Sequence, residues 1–202
     1  MHRRFLLILA ALLLTGGFGC GDPAEPGSAT VAHFVVPRDG VDTEFSTLPW
    51  PNDIRRDPDG TVNLRGFPAP SVLVANYVRI IDDNTHGWGT NAGMFFRFSA
   101  ALDPASLPAT PAETLTSAST VYLVDIDPTS PEYGNRRPVR VQFREAAGEY
   151  IGENHLVILP VAGWTLRPGT TYAAILTRGL RDHRGQPLRR DIELLAMLSD
   201  KE

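Results

Sequence analysis

The sequence predicts a mainly β chain, an antiparallel β-sandwich with one short helix ahead of the main strands. Three observations predict it. Glycine (18) and proline (17) are both frequent among the 202 residues, which suits short strands joined by turns. Several short segments alternate or run apolar between turn residues. Only one stretch, 71–82, carries a clear helical spacing.

Residues 1–19 read as a leader. His2, Arg3 and Arg4 give a positive start, and residues 5–14 are an unbroken apolar run. Ten helical residues rise about 15 Å, half of a bilayer core, so the run is too short to span and fits a signal-peptide core. Cys20 follows the leader directly and is the single cysteine, which excludes an intrachain disulfide and any multi-cysteine metal or redox motif. The Gly/Pro/Ser-rich stretch after it reads as a flexible tether over 20–31.

Residues 32–92 read as an extension packed on the sandwich, and 93–198 as the sandwich itself. The segment 32–36, AHFVV, is a candidate first strand. From 42 to 70 the chain is loop-rich, because Pro49, Pro51, Pro58, Pro68 and Pro70 exclude most regular structure. Asp57-Pro58-Asp59-Gly60 is a turn: Pro presets φ and Gly accepts the tight geometry. In 71–82, Ser71 can cap a helix whose apolar face is Val74, Tyr77, Val78 and Ile81, although its β-branched residues leave a strand as the alternative. Strands are expected at 94–99, where Met94, Phe96 and Phe98 share a face, and at 138–144, where Val139, Val141 and Phe143 alternate with Arg140, Gln142 and Arg144. Segments 120–126 and 155–161 are apolar on both faces, as interior strands are, and 170–177 is another strand. The stretch 186–198 reads as a final strand passing into a helical turn, with Ile192, Leu195 and Leu198 recurring at three.

The run 166–172 identifies the kind of sandwich. In Ig-like sandwiches a tyrosine at the start of a late strand sends its hydroxyl to an upstream backbone group and locks the crossover. Pro168 and Gly169 would make the turn, Leu166 would plug the core, and Tyr172 would be the lock. Asp182-His183-Arg184-Gly185 is a second turn, with Asp first and Gly fourth.

These residues resemble the bacterial Ig-like domain of S-layer-type surface proteins. The matching positions are Phe98, Ser99, Asp103-Pro104-Ala105-Ser106-Leu107, Pro160, the run 166–172 and the turn 182–185, over about residues 93–190. The upstream stretch, LPWPNDIRRDPDGTVNLRGFP and then GWGTNAGMFFRFSAALDPASL, resembles the N-terminal Ig-like domain of bacterial virulence-factor lipases, which continue into an α/β-hydrolase. The end of the leader resembles a lipobox, with Gly19 before Cys20 but Gly17 where Leu is usual. The likeness implies a diacylglycerol on the Cys20 thiol. Gly17 and Gly19 also fit ordinary signal-peptidase cleavage, which would leave a secreted protein.

Little points to chemistry. No Gly-x-Ser-x-Gly elbow, Gly-x-Gly-x-x-Gly loop or P-loop occurs, so no catalytic residue is assigned. The stretch DDNTHG, 82–87, has only part of a calcium loop: His86 and Gly93 stand where oxygen ligands are needed. His33, His86, His155 and His183 are far apart in sequence and form no local metal pair, so neither metal nor cofactor is expected. Asp125 and Asp127, two apart on one strand, and Asp53 and Asp57 in a loop read as solvated charge. Of Trp50, Trp88 and Trp164, Trp50 between two prolines is the best candidate for stacking on a sugar. Arg3 and Arg4 lie in the leader; without it, 17 basic residues face 23 acidic ones, a net of about −6, and only basic pairs occur, which argues against nucleic acid.

The sequence therefore leads to a non-catalytic Ig-like lipoprotein, exported and lipid-anchored at the bacterial cell envelope, outer membrane by preference. It would act as a scaffolding or binding module for an envelope protein or glycan. The alternatives are an accessory domain of a lipase-like hydrolase and a glycan-binding module.

Overall fold

A computed structural model describes residues 29–199 apart from 40 and 42. The leader, most of the tether and Cys20 lie outside the described residues. The elements in chain order are β1 (Val31–Ala32), α1 (Val72–Asn84), β2 (Met94–Arg97), β3 (Val121–Asp125), β4 (Arg136–Arg137), β5 (Val139–Arg144), β6 (His155–Pro160), β7 (Tyr172–Leu176), β8 (Arg189–Arg190) and α2 (Ile192–Ser199).

The strands form two antiparallel three-stranded sheets, in the orders β2-β6-β5 and β4-β3-β7, with β1 and β8 paired in parallel beside them. The central strands are the two that the sequence marks as apolar on both faces. In β6, Ile158 sits between Met94 of β2 and Val141 of β5, and the four residues from His155 to Ile158 are all buried. In β3, Leu123 sits between Arg137 of β4 and Ala174 of β7. The edge strand β5 keeps its alternation, with Val139 buried and Arg140, Gln142 and Arg144 exposed. One hydrophobic cluster joins the sheets: Met94, Val139, Leu156 and Ile158 from the first pack with Val121 and Leu123 from the second, alongside Phe98, Leu102 and Leu180. Burying that apolar surface is the main force holding the two sheets to each other.

The extension builds a smaller cluster from Phe45, Val62 and Leu64, with Trp50, Phe67, Val78 and Trp88 packed on it. Trp50 also continues the first sheet, exchanging two backbone hydrogen bonds with Phe95 at the outer edge of β2. Asp57 and Gly60 close their turn with a 2.8 Å hydrogen bond, and Gly60 has φ +91°, where a side chain would be strained.

Three local expectations need correction. The first strand covers only Val31 and Ala32: the His33 N–H still bonds the Arg97 carbonyl of β2, but from Phe34 onward the N–H groups go to the Asp191 and Glu193 side chains and to the Thr47 carbonyl in place of a strand ladder. Helix α1 is capped by Ser71, whose hydroxyl accepts the Val74 N–H at 3.3 Å, but its apolar face is only half used. Val74, Val78 and Asp82 turn inward, while Tyr77 and Ile81 stay exposed. Asp127 lies past the end of β3, so it shares no strand face with Asp125.

Candidate functional site

The strongest candidates are surfaces built by the two helices, and they are best seen after the residues that the fold uses for other ends. At the corner, the Tyr172 hydroxyl accepts the Arg167 N–H at 3.1 Å. Gly169 takes φ +64° in the intervening turn, and Leu166 packs against the main core. Glu132 sits against both Arg137 and Arg167, and these arginines hold its carboxyl below the ordinary range despite the opposing effect of desolvation.

The tryptophans divide by burial. Trp50 is half-buried, its ring 5.1 Å from Phe45 and tilted against it, and 4.7 Å from Trp88 in an edge-type contact. Trp164 is the exposed one. Beneath this cluster lies Arg55, which is buried where its neighbour Arg56 is exposed. It donates to the carbonyls of Phe45 and Arg65, stacks 3.9 Å over the Phe45 ring, and has its pKa lowered to about 10 by burial and by Arg65. Charge pattern alone gave no sign of this, since the carbonyls that hold Arg55 come from distant loops.

The carboxylates of Asp125, Asp127, Asp57, Asp53 and Asp82 are each engaged by a nearby protein group. Asp125 is buried and accepts the Ser130 hydroxyl and the Asp127 N–H. Asp127 caps Thr129, Asp57 accepts the Asn63 amide, and Asp53 lies 3.6 Å from Arg56. Asp82 accepts the Leu64 N–H, tying α1 to the extension. His33 and His155, distant in sequence, come together around the Arg97–Glu44 ion pair. His155 is buried, with Nδ1 3.0 Å from the Gly152 carbonyl and Nε2 unpartnered, and burial lowers its pKa. A Cβ at Gly152 would come within 3.2 Å of Glu44 and 3.4 Å of Arg97, so this region is filled by side chains. Among the described residues no group of three or more His, Cys, Asp or Glu could hold a metal, and no serine hydroxyl bonds a histidine.

Asp182 organises the place where the chain enters the fold. It is fully buried, and its carboxylate accepts from the Arg184 and Gln186 N–H groups, the Arg184 guanidinium and the Thr30 hydroxyl. Desolvation pushes its pKa up, but these donors outweigh it and hold the value at about 2. Thr30, the last residue but one of the expected tether, is thereby pinned. Its carbonyl accepts the Arg189 N–H at 2.8 Å. The clasp continues: Phe34 N–H to Asp191, Val36 N–H to Glu193, and Arg38 to Glu193 at 3.1 Å.

Neither helix contains a buried residue. Helix α1 turns Leu73 (62% exposed), Tyr77 and Ile80 (52%) outward at spacings of four and three, one continuous apolar stripe. Helix α2 does the same with Ile192 (79%), Leu195 and Leu198 (both 46%), while Glu193 faces the clasp. Soluble domains rarely leave contiguous apolar faces in water unless something covers them. No helix among the described residues is long and apolar enough to cross a membrane. No family profile, curated protein or solved structure matches the chain.

Proposed function

We propose that this protein is an Ig-like β-sandwich held at the bacterial cell envelope by a lipid on Cys20, and that it docks another envelope protein without catalysing a reaction. The observation that carries the docking reading is the outward stripe of α1. Its three large apolar side chains project from a helix whose first turn is capped by Ser71 and whose last turn is tied to the extension by Asp82 bonded to Leu64, with Val78 packed on the small cluster beneath it. A helix laid against a partner's groove is a common way to bury such a stripe. The shared core of the two three-stranded sheets and the Tyr172 corner support the Ig-like assignment.

The test is a photo-crosslinking residue placed at Leu73 in intact cells, with the same residue at exposed Arg140 as control. A discrete adduct at position 73, absent at 140 and lost with Ile80→Asp, supports the reading. Equal diffuse adducts at both positions would overturn it.

A further inference from the structure

We propose that α2 and the two arginines before it form a second contact with the membrane, an interfacial face that lies on an anionic lipid surface. This rests on the reading of Cys20 as a lipid anchor. The clasp carries the argument. Because Thr30 is bonded to Asp182 and Arg189, and β1 runs beside β8, the chain from Cys20 enters the fold at the root of α2. Nine residues, and so ten Cα–Cα steps, separate Cys20 from Thr30. Fully extended they reach at most about 35 Å. A lipid on Cys20 therefore holds α2 close to the headgroups, and the parallel pairing of β1 with β8 fixes which end of the fold is nearest.

The chemistry of that end matches a headgroup boundary. Ile192, Leu195 and Leu198 face outward together, so they can enter the outer acyl layer in the manner of interfacial helices. Arg189 and Arg190 are exposed just ahead of the helix, the intervening Asp191 is buried and accepts the Phe34 N–H, and among the described residues neither guanidinium has an ion-pair partner. Cationic side chains beside an apolar face select anionic over zwitterionic lipid. The acid that α2 does carry, Glu193, is turned away from this face and engaged with Val36 and Arg38.

The experiment uses the chain from residue 20 onward, which keeps every described residue, with Cys20→Ser so that no lipid is attached. It is sedimented with phosphatidylglycerol–phosphatidylethanolamine vesicles and with phosphatidylcholine vesicles. The expected result is binding to the anionic vesicles, about tenfold or more weaker binding to phosphatidylcholine, and loss with Leu195→Asp/Leu198→Asp or with Arg189→Ser/Arg190→Ser. The substituted residues are exposed, so unchanged urea midpoints will show that these variants fold. An environment-sensitive dye on Leu195→Cys gives a second readout and should shift to the blue with anionic vesicles. No binding, binding indifferent to these substitutions, or loss through Leu73→Asp in their place would overturn the proposal. So would concentration-dependent self-association abolished by Leu195→Asp, since α2 would then cover a second copy. Palmitate labelling of the unsubstituted chain, absent in Cys20→Ser, tests the anchor separately, so either idea can fail alone.

Discussion

Substituting Asp182 tests how the N-terminal segment is held. The carboxylate has a folded pKa of about 2 against an ordinary value of 3.8. The unfolded chain therefore binds its proton more readily than the folded one. The group stabilises the fold fully above about pH 5, and that contribution is lost as pH falls through 3.8 toward 2. Each pKa unit corresponds to about 1.4 kcal/mol, so the contribution is about 2 kcal/mol, and somewhat less where the one-third-exposed Arg184 side chain is screened by solvent. Asp182→Asn keeps the shape but removes the charge and points an amide donor at donors already present. At pH 7 it should cost about 2–4 kcal/mol, since buried donors lose their acceptor. Urea unfolding of wild type and variant across pH 7 to 2 reads this directly. The gap between the two should narrow by about 2 kcal/mol toward pH 2. A gap of constant size would refute the reasoning, because the carboxylate would then titrate alike in both states.

Tyr172→Phe should cost about 0.5–1.5 kcal/mol, toward the lower end because the Arg167 N–H that loses its acceptor lies at an exposed residue and can turn to water; an unchanged urea midpoint would mean that the hydroxyl locks nothing. Trp50→Ala should destabilise by about 2–4 kcal/mol through loss of packing on Phe45 and Trp88, whereas Trp164→Ala should stay within about 0.5 kcal/mol. Thermal melts of the two variants check this, and any stacking on sugars should respond to Trp164 and not to Trp50. The purified protein should not turn over short-chain nitrophenyl esters, and activity that survives repurification and falls on mutating one Ser or His would contradict the non-catalytic reading.

Local grammar was readable in the sequence and long-range partnership was not. The Val139-x-Val141-x-Phe143 alternation and the Ser71 cap each depend on neighbours a few residues away, and the strand and the helix lie where that pattern puts them. The two doubly apolar segments became the central strands, but only β6 is buried on both faces, over His155 to Ile158; β3 buries Val121, Leu123 and Asp125 and leaves Tyr122 and Val124 half-buried. Which side of α1 faces inward was hidden, because the small cluster under it needs only Val78 and leaves the rest of the apolar surface to water. In α2 the three-residue recurrence was visible, but its direction was set by Glu193, which bonds the Val36 N–H some 157 residues away. Trp50 and Arg55 followed the same rule: each is placed by Phe45, whose position no local pattern reveals.

The docking function requires that the α1 stripe be covered in the cell. Leu73→Cys in otherwise unchanged protein can be labelled with a charged maleimide, once in permeabilised cells and once after detergent extraction and purification. The unsubstituted protein, whose Cys20 should carry lipid, controls for background. A covered stripe predicts rapid labelling of purified Leu73→Cys, protection of the same residue in the envelope, and no labelling of the control. Equally fast labelling in both settings would show that nothing occupies the stripe and would contradict the docking function.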